Sequence, residues 1–146
     1  MTVVHEEKLR VNWVDTDASG RIHYTAALRY FEIAEHGLMR RLFAQLGAPG
    51  APGATGVAAA SFGAGFGLPR VHVEADYKLA LRYPDEFTCS ARVAKVGTSS
   101  VTYGYEIRNP AGELCIAGKI VAVATDALGQ KAALPPHVRE ALEKAL

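Results

Sequence analysis

The sequence predicts an α+β fold in which a curled antiparallel sheet of about five strands wraps around one long central helix. Three observations carry this: a strand-period segment near the start, a single long helical stripe after it, and four consecutive strand-period segments beyond that. A wide apolar stripe must be covered, and an antiparallel sheet with one apolar face can curl around it. At 146 residues and 49% hydrophobic content, the chain can fill one core and leaves no room for a second.

Between Glu7 and Val14, Leu9, Val11 and Trp13 alternate with Lys8, Arg10 and Asn12, the period of a half-buried strand. Asp15 to Gly20 then supplies residues that turn a chain or satisfy a helix start with side-chain oxygens. From about Tyr24 to Leu46, Leu28, Phe31, Leu38, Leu42 and Leu46 share one helical face, flanked by Ala27, Met39 and Phe43. Gly47 fits a helix C-cap, and the stretch from there to Pro69 reads as a flexible connection holding Gly63, Gly65 and Gly67. Those glycines do not form a nucleotide loop, because no strand precedes them and no helix pattern follows.

After Pro69, Val71, Val73, Ala75 and Tyr77 alternate with polar residues as a second strand. Extended segments at about 86 to 96, 100 to 108 and 113 to 125 are separated by turn residues and read as a meander. Pro135 and Pro136 open a short C-terminal helix through Val138, Ala141, Leu142 and Ala145. A sheet of this size has unpaired edges, and pairing with the same strand of a second subunit is a common way to remove one, so at least a dimer is expected.

Sixteen Lys and Arg against fifteen Asp and Glu leave a formal charge of +1. That excludes a broad positive field for nucleic acid or an anionic membrane, so any anionic ligand must be gripped locally. The charged run His5 to Lys8 stands where a signal peptide would turn apolar, and no apolar window is long enough to span a bilayer; the expectation is a soluble, cytoplasmic protein. Cys89 and Cys115 have no Cys or His neighbour at metal-ligand spacing and read as reduced, partly buried thiols. His5, His36, His72 and His137 read as solvated.

The segment Trp13 to Tyr24 carries the chemistry, with two carboxylates in a loop just ahead of the helix. Acidic residues in such a place usually cap or turn, but Asp17 lies too far upstream to reach the first-turn amides. The helix start offers unpaired N–H groups, those of His23, Tyr24 and Thr25, as an oxyanion site. Asp17 could then attack a thioester whose oxygen rests there, or activate water as a general base. Asp15 reads as the residue that holds the turn, with the two roles open to exchange.

This segment resembles the signature of the 4-hydroxybenzoyl-CoA thioesterase family of hotdog enzymes. Tyr30-Phe31-Glu32, Val73 to Tyr77 with Tyr83-Pro84-Asp85, and Val96 to Val101 resemble its later blocks, so the likeness covers nearly the whole chain. It implies a single hotdog thioesterase domain over residues 1–146, acting on an acyl-CoA, with Asp17 as the catalytic carboxylate. It also implies that the backbone amide of Tyr24 polarises the thioester carbonyl. The resemblance further implies a site at a dimer interface, homodimers that often pair into homotetramers, no need of a metal or other cofactor, and Lys and Arg near the mouth that hold the CoA phosphates. Departures fall at Ala27, where many members carry an aromatic, and at Arg21 and Tyr24. Ala27 is accordingly expected to enlarge the acyl pocket, with Thr16 as a second substrate contact.

Four residues are supporting candidates. His23 and Thr25 stand at the helix start, Glu35 falls at the centre of the apolar stripe, and Glu32, near its edge, matches a Glu recurring in the family and ranks above Glu35. A buried carboxylate needs a partner, so an ion pair at the subunit interface competes with a site role for both. The reading is therefore an acyl-CoA thioesterase for aromatic or short to medium aliphatic acyl groups. A non-catalytic acyl-CoA or acyl-carrier binding module is the alternative, as is a hotdog dehydratase or hydratase using His23.

Overall fold

The computed structural model describes residues 2–43 and 66–146. Five antiparallel strands, β1 (Val4–Arg10), β2 (Arg70–Tyr77), β3 (Glu86–Val96), β4 (Ser100–Arg108) and β5 (Leu114–Val123), form one sheet in the order β1-β3-β4-β5-β2. The meander is β3-β4-β5, as the turn residues predict, and the two earlier strands flank it as the edges. Two helices complete the described architecture, α1 (Ala26–Phe43) and α2 (Pro136–Lys144). α1 packs chiefly on β1 and β3 and also touches α2. The inner residues of β2, among them Val73 and Tyr77, stay exposed.

Three expectations are corrected by this arrangement. β1 starts at Val4 and ends at Arg10, and Trp13, expected inside, is 80% exposed. Alternation holds as far as buried Val11, after which Asp15 accepts the Asn12 N–H and the chain turns through a short 3-10 segment, Trp13–Asp15. α1 is 18 residues long and starts two residues later than expected; the expected continuation to Leu46 and the cap at Gly47 lie outside the described residues, as do Gly63 and Gly65. Its buried face is also rotated. Leu28 is exposed, while Ala26, Ala27, Ala34 and Gly37 lie against neighbours.

Small residues on α1 leave room for neighbouring side chains. A Cβ on Gly37 would lie 2.0 Å from His5 Nε2, which is why His5, expected to be solvated, is half-buried between α1 and Glu7. His36, His72 and His137 are exposed. Gly67, assigned to the flexible connection, instead forms a two-bond bridge with Thr125. Cys89 and Cys115 are free and fully buried, and burial pushes the Cys89 thiol up to about 12, so it stays protonated and is no nucleophile.

Candidate functional site

The loop ahead of α1 folds back on itself. Asp17 N–H donates to Arg21 O at 3.0 Å, Thr16 bridges Ile22, and His23 N–H donates to Asp15 O at 2.7 Å. The reversal is made at Asp17 to Gly20, where Gly20 N–H returns to Asp17 O and Gly20 adopts φ 80°, a conformation in which glycine carries no Cβ penalty. Ile22 N–H donates to Leu81 O and Arg21 bridges Arg82, which seat the returning limb on the segment between β2 and β3.

The two carboxylates of this loop have different fates. Asp15 is 3% exposed and closed: Oδ1 accepts from Arg29 at 2.7 Å, and Oδ2 accepts from the Tyr30 hydroxyl at 2.8 Å and the Asn12 amide at 3.0 Å. Burial pushes its pKa up, but the three donors together outweigh that and hold it below the usual value. Burial and Asp15 in turn push the Tyr30 hydroxyl well above its ordinary range, so it remains a donor. Asp17 is exposed. Its Oδ1 accepts from Ser19 Oγ at 2.5 Å and Ser19 N at 2.8 Å, while Oδ2 has no donor among the described residues. The Ser19 hydroxyl and amide, with His23 and Arg21 nearby, hold the Asp17 pKa below its ordinary value. An ionised carboxylate with one oxygen steadied and the other open can act as nucleophile or base. Of the two aspartates, Asp15 is thus the one that the fold engages on both oxygens.

Of the three amides offered at the helix start, two are occupied. His23 N–H goes to Asp15 O, and Thr25 N–H goes to His23 Nδ1 at 3.2 Å. Tyr24 N–H finds no acceptor among the described residues. His23 works as a local cap: its carbonyl accepts from Ala26 N–H, and Nδ1 also meets Thr25 Oγ1 at 2.7 Å. With Nδ1 accepting, the ring proton sits on Nε2, and the ring stacks on Tyr24 at 4.5 Å. The Tyr77 hydroxyl donates to Tyr24 O, joining the helix entry to the edge strand. Nothing in the sequence linked these two residues, which lie 53 positions apart.

The other candidates scatter. Thr16 donates its hydroxyl to Trp13 O at 2.7 Å, which engages it within the loop. Ala27 is fully buried in the core, so packing accounts for its small size within this chain. Glu32 is exposed and has no bonded partner among the described residues, whereas Glu35 is 3% exposed and accepts from Tyr105 Oη at 2.5 Å and from Arg70. Of the two glutamates, Glu35 is the one with bonded partners among the described residues. Glu35 belongs to a buried network in which Arg70 also lies over the Tyr103 ring at 5.6 Å, well along α1 from Asp17. Burial and Glu35 push the Tyr103 and Tyr105 hydroxyls above their usual range, and both remain protonated.

A cavity of about 220 Å³ lies beside the loop, lined by Arg21, Ile22, Tyr77, Lys78, Leu81 and Ile116 among others. The larger concavity of about 880 Å³ opens on the outer face of β1, β3 and β4 and contains no residue of the Asp15 to Tyr24 loop, so size does not mark the site here. Arg21, Lys78 and Arg82 form no ion pair among the described residues. No helix among the described residues is long and apolar enough to cross a membrane.

Among solved structures, the chain is similar to a DHNA-CoA thioesterase from Staphylococcus aureus, with a TM-score of 0.78, 21% identity, and coverage of 97% of this chain and 89% of that one. It is similar also to a 1,4-dihydroxy-2-naphthoyl-CoA thioesterase from Synechocystis, with a TM-score of 0.75, 17% identity, and 96% of each chain covered. A gentisyl-coenzyme A thioesterase gives 0.76, 18%, and coverage of 94% of this chain and 98% of that one. At these identities the likeness establishes a shared fold, the hotdog arrangement that the loop and helix residues had implied. No curated protein matches the chain. The family model described as the thioesterase-like superfamily matches residues 11–142, which takes in the loop, both helices up to Leu142 and the strands β2 to β5, and the chain therefore belongs to that superfamily.

Proposed function

We propose that this protein hydrolyses acyl-CoA thioesters to the free acid and CoA, with Asp17 as the working carboxylate and the Tyr24 amide as the oxyanion donor. The observation that carries the reading is the division of labour in the loop. Asp15 is closed by three donors, Asp17 keeps one oxygen open, and of the helix-entry amides Tyr24 alone lacks an acceptor among the described residues. With the thioester oxygen on Tyr24 N–H, an open Asp17 oxygen attacks the carbonyl carbon, the C–S bond breaks, and CoA leaves as a thiolate that takes a proton from water. Water then cleaves the resulting anhydride and returns Asp17 as a carboxylate. As a general base, Asp17 would instead take the proton of a water attacking the same carbon. Each well-placed donor at the developing oxyanion contributes about 3 kcal/mol to the barrier reduction.

The fold relatives named for dihydroxynaphthoyl and gentisyl groups make aromatic acyl-CoA the first choice of substrate, with short and medium aliphatic chains beside it. Exposed Tyr24 and Tyr77, which meet at the helix entry, supply apolar surface beside the amide. Arg21, Lys78 and Arg82, near the adjoining cavity, supply unpaired charge for the CoA phosphates. A second copy pairing along the free edge of β2 would cover this apolar face, giving a homodimer of one-domain subunits and, by pairing of dimers, a tetramer.

The test is thiol release from benzoyl-, phenylacetyl- and aliphatic acyl-CoA, repeated with Asp17→Asn. We expect release by the wild type and a loss of about 10² to 10⁴ in the variant. Binding of CoA esters without release from any of them would instead identify a binding module.

A further inference from the structure

Asp15 joins three parts of the site through one residue. Its carboxylate takes the Asn12 amide of the outgoing limb and the Arg29 and Tyr30 side chains of α1, while its carbonyl takes the His23 amide of the returning limb. Asp17 follows two residues later on the first limb, and Tyr24 follows directly after His23 on the second. We propose that Tyr30 and Arg29, acting through Asp15, are positioning residues that set the separation between the Asp17 carboxylate and the open Tyr24 amide. This rests on the thioesterase reading above.

Stability alone does not account for the arrangement. The Tyr30 ring already packs on Phe87 at 4.6 Å, so phenylalanine would fill the same space, and a neutral residue at 15 would avoid burying a charge. The Arg29 side chain is 57% exposed, and ion pairs that open to solvent contribute little to folding. What the three side chains do fix is direction. The two carboxylate oxygens are held from different positions on α1 and from Asn12, which leaves Asp15 little freedom to rotate and so fixes the carbonyl that holds His23. Taking up the His23 amide makes Tyr24 the first free donor at the helix entry.

The test uses the full chain carrying Tyr30→Phe, Arg29→Gln and Arg29→Lys, with two readouts. Amide hydrogen exchange at His23, followed by NMR without substrate, should accelerate at least about tenfold in Tyr30→Phe while the melting temperature changes little. In thioester hydrolysis kcat should fall about ten- to hundredfold with KM nearly unchanged, and Arg29→Lys should recover most of what Arg29→Gln loses. On an Asp17→Asn background, Tyr30→Phe should cost nothing further, because both variants disable the same step. Unchanged His23 exchange in Tyr30→Phe, or an equal kcat loss with and without Asp17, overturns the clamp. If the wild type hydrolyses no thioester, the function reading fails, and the exchange result still decides whether Tyr30 and Arg29 hold the loop.

Discussion

At the scale of single residues, the proposed site rests on two aspartates two positions apart that the fold treats in opposite ways. The Asp17 charge is favoured by the Ser19 hydroxyl and amide, which bind the ionised form, so its pKa lies below the ordinary 3.8. The acid limb of kcat/KM should then lie below that value. Ser19→Ala removes the strongest of these donors, raises the pKa, and should move the limb to higher pH; a pH profile of thiol release that leaves the limb in place would show that Ser19 does not set it. The Ser19 contact, which the sequence reading did not name, is a local one between residues two positions apart in a turn. The Asp15 contacts to Arg29 and Tyr30 are not local, because they span 14 and 15 positions and require the helix to pack beside the loop.

At the scale of elements, every strand period in the sequence produced a strand, and the discrepancies come from where packing overrides periodicity. Leu28 belongs to the apolar stripe on the wheel yet is exposed, because α1 packs chiefly on β1 and β3 and buries Ala27, Tyr30, Ala34 and Leu38 instead. Glu35 was correctly placed inside by the wheel, but its partners Arg70 and Tyr105 come from β2 and β4, which no helical period can name. Removing Glu35 strands Arg70 beside two tyrosines. Breaking such a pair costs about 3 to 5 kcal/mol when fully buried. With the Arg70 side chain 38% exposed, we expect roughly 2 kcal/mol for Glu35→Ala in urea unfolding, discounted for solvent screening, and a smaller loss for Glu35→Gln. Unaltered stability in Glu35→Ala would mean the network contributes nothing to the fold.

At the scale of the molecule, the sheet among the described residues ends in two edges, and the one formed by β2 carries exposed Val71, Val73 and Tyr77, the last of them bonded to the helix entry. A lone strand edge with apolar side chains beside it favours association. Sedimentation should therefore give a particle of at least twice 15.6 kDa at micromolar concentration, and Val73→Lys should weaken it together with activity. A monomer that hydrolyses thioesters at full rate would rule out a shared site.

The order of elements, the position of the chemical loop and the family likeness are all contained in local sequence, because periods of 2 and 3.6 residues and turn chemistry are properties of neighbouring residues. Which aspartate is closed, which helix-entry amide stays open, and which buried carboxylate finds partners were settled only by tertiary structure. The carboxylates depend on donors delivered from a distant element, as Arg29 is to Asp15 and Arg70 to Glu35, and the open amide depends on the loop reversal that brings Asp15 O to the His23 amide. A hydrogen bond needs its two atoms within about 3 Å, a condition that spacing along the chain does not specify.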